Sequence, residues 1–263
     1  MSSHWTILFL KTIAPLCGVI ISNLLFLAPM KSVLEVRNME DIGPLNPIPY
    51  CFIFGSTSGW LLYGASVKNF YIWWANCPGL VLAIFYILSC HAVLEKGKRR
   101  FLYETLTLSV LGLTVTCAFL AAFILPRNIA NITLGVLANT MLICFYASPL
   151  STFIAVVRMK DASSLDPWLC AMNTVNGTMW TIYGFALGDP IVWSLNLLGA
   201  IFGVLQLCLI CIYGRRNANI SSTLTTPQDV EEKVIEGTSY SQKPETTNYG
   251  TSNTDTQLSG EAL

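Results

Sequence analysis

The chain has 263 residues, 53% hydrophobic and only 11% charged, with a formal net charge of zero and a mean hydropathy of +0.56. A soluble domain carries about 25% charged residues, so the deficit excludes an ordinary soluble fold. The balanced charge offers no basic face to a nucleic acid.

Taken in order, the chain shows seven apolar windows, at 12–30, 48–67, 69–94, 103–125, 129–157, 168–188 and 190–213. Six hold no Asp, Glu, Lys or Arg, and the fourth has Glu104 at its edge. Each is long enough to cross about 30 Å of hydrocarbon as a helix, and in lipid only helices or closed barrels satisfy the backbone. Short links at Lys68 and at Asp189-Pro190 join the second window to the third and the sixth to the seventh. The N-terminus has no cleavable-signal pattern. Residues 217–263 are rich in Ser, Thr, Asn and Gln and read as a disordered cytoplasmic tail. Nine cysteines lie in or beside apolar runs, without metal-ligand spacing, and read as small hydrophobes. No cofactor or metal site is expected, and no nucleophile–base pair supports an enzyme.

The chain repeats itself. W-L-L-Y-G at Trp60–Gly64 followed by N-C-P-G at Asn76–Gly79 returns as W-T-I-Y-G at Trp180–Gly184 and N-L-L-G at Asn196–Gly199. Trp60, Tyr63, Gly64, Asn76 and Gly79 all move by 120 positions, as do Ala28-Pro29 to Ser148-Pro149 and Pro47 to Pro167. The fourth window has no counterpart. The expected fold is therefore an all-α membrane protein of seven transmembrane helices, two parallel three-helix bundles joined by a connector helix (3+1+3). Its parts are 1–100, the connector 101–127, 128–216 and the tail 217–263.

Basic residues orient it. With the N-terminus outside, the inner links hold Lys31, Arg37, Lys96, Lys98, Arg99, Arg100, Arg158, Lys160, Arg215 and Arg216, against Lys11, Lys68 and Arg127 outside. That is a positive-inside pattern with the C-terminus cytoplasmic. The sequon at Asn131 then lies outside but close to the membrane edge.

Candidate chemistry follows from the repeat. Trp60 and Asn76 sit about 10 Å below the outer edge, and Trp180 and Asn196 repeat that placement. A neutral amide offers two donors and an acceptor, and an indole face stacks on the apolar face of a sugar ring. Duplicated at matched depth, these four point to a substrate site rather than to helix–helix glue. Ser56 and Asn176 stand one turn before the two Trp residues and should line the same cavity; Asn23 and Cys144 are weaker candidates. Pro29, Pro49, Pro149 and Pro167 all fall on the cytoplasmic half, where bends would serve a gate. Helix starts are the alternative for Pro49 and Pro167, and the strict offset selects Pro47 where Pro49 is taken here. No acid or base is buried mid-span, as ion-coupled carriers usually require. His91 reads as a packing residue. A neutral substrate moving downhill is the economical reading.

With F-L-A-P (Phe26–Pro29), P-Y (Pro49-Tyr50), A-S-P-L (Ala147–Leu150) and the motifs above, the chain resembles the SWEET family of sugar transporters, of MtN3/saliva type, over residues 12–214. The family's repeats run parallel. The resemblance implies a facilitative, bidirectional uniporter working by alternating access, with glucose or another small neutral sugar as substrate. It implies sugar contacts at Trp60, Asn76, Trp180 and Asn196, further pocket positions at Ser56, Asn176 and Asn23, and a proline tetrad at Pro29, Pro49, Pro149 and Pro167. Asn176 stands where a smaller Ser is common, which favours a monosaccharide over a disaccharide. Ala28 departs from the usual S-P. Family members work mostly in the plasma membrane, some in the vacuolar or another endomembrane, and often assemble as homo-oligomers. The rivals are a seven-helix receptor and a P-Q-loop carrier of amino acids or another small metabolite. The candidate P-Q positions read Pro-Met and Pro-Leu.

Overall fold

The computed structural model describes residues 2–214, so the expected tail 217–263 lies outside the described residues. Helix α1 (Ser2–Leu8), a π-helical stretch Phe9–Ile13, α2 (Ala14–Leu27) and α3 (Met30–Met39) follow one another as the first rod, broken at Ala28-Pro29. Six more helices follow: α4 (Ile48–Ser66), α5 (Phe70–Val93), α6 (Lys98–Phe123), α7 (Arg127–Met159), α8 (Pro167–Leu187) and α9 (Pro190–Tyr213). The described residues form an all-α, multi-spanning bundle of seven rods.

The rods outrun the apolar windows. The first continues past 12–30 at both ends, α6 begins at Lys98 rather than 103, and α7 runs on to Met159. Hydropathy marks only the stretch fit for hydrocarbon. Lys11, Lys31, Glu35 and Arg37 are good enough helix formers and sit on exposed faces, so they do not end a helix. Five rods among the described residues are long and apolar enough to cross a membrane; α4 and α8 are not among them. These two carry the polar runs Ser56-Thr57-Ser58 and Asn173-Thr174 with Asn176 and Thr178. Both bury the tryptophan of their repeat, Trp60 on α4 and Trp180 on α8.

In space α5 lies between α2 and α4, and α9 between α7 and α8. The two groups meet through α4 on α7 and α2 on α8, while α6 packs outside against α4 and α7. Lipid gives no hydrophobic drive between helices, so close approach must come from small residues. A Cβ on Gly59 would come within 2.8 Å of the Ala138 backbone, and one on Gly177 within 2.7 Å of the Asn196 carbonyl oxygen.

The duplication extends to backbone detail. Glu40 and Lys160, 120 positions apart, both end their helices in the left-handed conformation, at φ 56° and 52°. Lys68 and Gly188 do the same in the tight links, at φ 55° and 66°. Glycine fits that conformation freely, whereas lysine is strained in it. His91 departs from the packing role expected of it. Its Nε2 lies 2.7 Å from Glu104 Oε1, which also accepts from Arg100 Nε at 2.9 Å. The cluster ties the end of α5 to the start of α6. At the other end Ser66 Oγ donates to Asn131 Oδ1 at 2.5 Å, so the sequon asparagine is already bonded.

Candidate functional site

The short links make the site possible. Asn69 and Asp189 occupy the N-cap positions of α5 and α9. Asn69 Oδ1 accepts from the Tyr71 and Ile72 N–H groups at 3.1 and 3.2 Å, and Asp189 Oδ1 from Ile191 and Val192 at 3.0 and 3.3 Å. Such caps satisfy donors that a helix start leaves bare. They also fix the register that brings Asn76 and Asn196 inward, each two turns down its helix.

A cavity of about 490 Å³ runs between the repeats. It is lined by Ser56, Trp60, Asn76, Asn176, Trp180 and Asn196, so six of the seven residues selected from sequence share one space. Asn76 Nδ2 donates to the Ile72 carbonyl at 2.8 Å, and Asn196 Nδ2 to Val192 at 2.6 Å. Each side chain thereby gains a fixed rotamer and keeps Oδ1 and a second N–H for something in the cavity. Trp60 and Trp180 are held edge-on by Tyr63 and Tyr183, with centroids 5.7 and 6.0 Å apart. Asp166, exposed at the mouth, is the one acid or base among the lining residues. An uncharged polar solute suits such a wall.

Asn23 is the exception. It is absent from the cavity wall, and Ser22 takes the place. Pro78 lies inside α5 and cannot donate to the carbonyl of Trp74. Asn23 Nδ2 supplies a donor there at 3.4 Å, besides its own bond to Val19 at 2.9 Å. Asn23 is thus a helix-to-helix tie. Ser22 receives the Trp180 indole N–H at 3.1 Å and donates to Asn176 Oδ1 at 2.9 Å, joining α2 to α8. The signal was in the spacing: Gly18, Ser22, Phe26 and Pro29 recur at helical intervals, and Asn23 falls about 100° off that face.

The prolines differ among themselves. Pro149 lies within α7, and Pro29 marks the break before α3. Pro49 and Pro167 stand in the first turns of α4 and α8, where a missing N–H costs nothing. They start helices rather than bend them. Pro29, Pro49 and Pro149 line the cavity; Pro167 does not, and Pro47 is fully buried. The position 120 beyond Pro49 is Leu169, which also lines the cavity. Cys144 lies outside its wall.

The cavity is open at the proline end, where exposed Ser164 and Asp166 reach its wall. The opposite end is latched. Tyr63 OH donates to Asp189 Oδ2 at 2.5 Å, and Asn69 Nδ2 donates to Tyr183 OH at 2.8 Å. Each bond crosses from one repeat to the other, and the pairs exchange under the 120-residue offset. In the sequence Tyr63 and Tyr183 stand out only as repeat markers and Asp189 only as part of a turn. The Tyr63–Asp189 bond has a carboxylate partner, so it is the stronger of the two. Tyr63→Phe should shift the resting population toward opening at this end by about tenfold or more, for a loss of about 1.5–3 kcal/mol. Thiol labelling of a cysteine placed at Val67 measures it; unchanged labelling would show that the bond holds nothing shut.

Among the described residues no group of three or more His, Cys, Asp or Glu is placed to hold a metal ion. The family model described as "Sugar efflux transporter for intercellular exchange" matches residues 13–98 and 132–218. "Bidirectional sugar transporter SWEET5" of Arabidopsis thaliana is 24% identical over 77% of this chain and 86% of that protein. "Sugar transporter SWEET1" of Drosophila pseudoobscura pseudoobscura is 28% identical over 68% and 78%. A solved structure of a eukaryotic SWEET transporter superposes with a TM-score of 0.71 at 24% identity, covering 76% of this chain and 95% of that one. That likeness establishes the fold.

Proposed function

The chain belongs to this family of sugar efflux transporters, and from that premise we propose that it is a facilitative, bidirectional uniporter for glucose or another small neutral sugar. The observation that carries the reading is one cavity of about 490 Å³ walled by both copies of the Trp/Asn pair, latched at one end and open at the other. The volume falls within the roughly 300–1,000 Å³ of small-molecule sites. The two indoles supply faces for a ring, and the two amides supply donors and acceptors for its hydroxyls. The uncharged interior supports a solute without charge and a cycle without a coupling ion. Ser22 engages Asn176, and the bulk of that pair favours a monosaccharide.

The cycle is alternating access. The open proline end faces the cytoplasm and the latched end faces outside, as the basic links favour. Closing one end while breaking the paired Tyr bonds at the other would move the same central site between the two sides. Membrane assignment follows the same reading: a plasma-membrane protein, with the vacuolar or another endomembrane as the second location, acting as a homo-oligomer.

Pro149 supplies a second expected result. It removes a bond to the Phe145 carbonyl inside α7 and lets that helix flex beside the open end. Pro149→Ala should slow turnover by about tenfold, or ~1.4 kcal/mol of barrier, with sugar affinity nearly unchanged. Turnover equal to wild type would remove α7 from the gate. The reading as a whole is tested by uptake into liposomes holding only this protein, with glucose, fructose, sucrose and amino acids offered in turn. Sugar uptake that ignores pH and voltage is expected. Uptake of amino acids alone would favour the P-Q-loop carrier, and no flux at all would favour a receptor.

A further inference from the structure

The duplicated residues build the inner part of the cavity, but toward the open end the two repeats diverge. On α9 the wall runs through Asn196, Gly199, Gly203 and Gln206, at helical spacing. Gln206 is only 7% exposed and makes no hydrogen bond to any described residue. On α8 Asn173 lines the same space one turn nearer the mouth than Asn176, and it too makes no hydrogen bond to a described residue. The positions 120 earlier are Tyr86 and Ile53. Tyr86 OH donates to the Phe26 carbonyl at 2.7 Å, and Ile53 has no polar group. One wall of the outlet therefore presents two free amides, and the other presents none.

Gln206 is buried among membrane helices, where an amide without a partner is costly unless water or a solute bonds it, and Asn173 stands exposed at the outlet. Neither amide ties helices together, so neither serves the fold as Asn23 does. Ten residues separate Gln206 from Asn196, about 15 Å along the helix. One ring bonded at Asn76 and Asn196 leaves Gln206 beyond its reach.

We propose that Gln206 and Asn173 form a second subsite for the hydroxyls of a neutral sugar, between the central site and the open mouth. It rests on the sugar-transport reading. Each amide offers two N–H donors and an acceptor oxygen, a set that suits vicinal hydroxyls and needs no ion. A sugar passes from this pair to the central pair on entry from the cytoplasm and back on exit. Because the subsite belongs to one repeat and to the open end, it tightens binding on the cytoplasmic face alone. The carrier is then sided despite its internal symmetry.

The test uses the full chain reconstituted in liposomes of known orientation, with labelled glucose presented to each face in turn. Gln206→Leu, and Gln206→Leu combined with Asn173→Leu, should raise the ratio of cytoplasmic to outer half-saturation by about threefold to tenfold, the range of one or two lost hydrogen bonds. A passive carrier keeps Vmax/KM equal in the two directions, so the ratio of maximal rates must shift by the same factor. Thermal unfolding without sugar should stay level or rise, since leucine replaces an unpartnered amide. Half-saturation values equal to wild type on both faces would overturn the subsite, as would a fall in unfolding temperature with equal losses on both faces. Wild-type protein that moves no sugar would overturn the transport reading with it. Sugar flux that Asn196→Ala abolishes and Gln206→Leu leaves untouched would overturn the subsite alone.

Discussion

Asn76→Ala and Asn196→Ala should each abolish most sugar flux from reconstituted protein while leaving it folded and in the membrane. Each asparagine spends one N–H on the carbonyl four residues back, at 2.8 and 2.6 Å. That carbonyl also serves the helix, so alanine leaves no orphan behind. Alanine is the better helix former as well. What disappears is Oδ1 and the second N–H turned to the cavity. A sugar hydroxyl stripped of water and left unmet costs about 1–3 kcal/mol, and a site whose weight is shared by two amides cannot absorb that. Asn23→Ala is the informative contrast. It frees the Trp74 carbonyl that Pro78 leaves bare, so it should lower the unfolding temperature with little change in sugar half-saturation. Normal flux in both Asn76→Ala and Asn196→Ala would remove the site.

Gly184→Val should prevent accumulation of folded protein. Gly184 closes the W-T-I-Y-G motif where α8 turns toward α9. A Cβ there would lie 2.7 Å from the Trp193 backbone nitrogen and 2.8 Å from the Trp193 Cβ. The first of these is main chain at a helix start and cannot swing aside. Trp193 is moreover stacked on Phe185, with ring centroids 4.6 Å apart. The cost should reach about 3 kcal/mol or more, the upper end of overpacking. Gly64→Val faces the same obstacle at Trp73, 2.9 Å away. Gly112→Ala is the control, because nothing lies within 4 Å of its added Cβ; a gain of about 0.5–1 kcal/mol is expected from helix propensity. Size-exclusion profiles in detergent separate the outcomes. A monodisperse, stable Gly184→Val protein would show that α8 and α9 do not need their close approach.

The bundle and the six cavity residues were legible because duplication filters noise. A single Asn in an apolar run says little, but Asn76 and Asn196 share an offset with a Trp, a Tyr and a Gly. The filter fails where a residue has no twin or where its twin differs. Ser22 answers to Leu142, and Gln206 answers to Tyr86, so the offset singles out neither. Asn23 has no twin in the repeat and enters the candidate pocket through the family resemblance, whereas its direction on α2 sends it to the Trp74 carbonyl. The latch has twins on both sides, yet the sequence hides it for another reason. Its two bonds run between repeats, and no periodicity within one helix reveals which tyrosine meets which cap. Rod lengths were underestimated because charge at a membrane edge ends a hydrophobic window without ending a helix, as Lys98 and Arg158 show.

Counterflow tests the central claim most directly. Vesicles holding only this protein are preloaded with unlabelled glucose and diluted into a trace of labelled glucose. A carrier that exposes one site to each side in turn predicts a transient rise of label above its final level, at any pH or voltage, and lost in Asn196→Ala. A steady approach to that level with no overshoot, or an overshoot that vanishes when a proton gradient is removed, would contradict it.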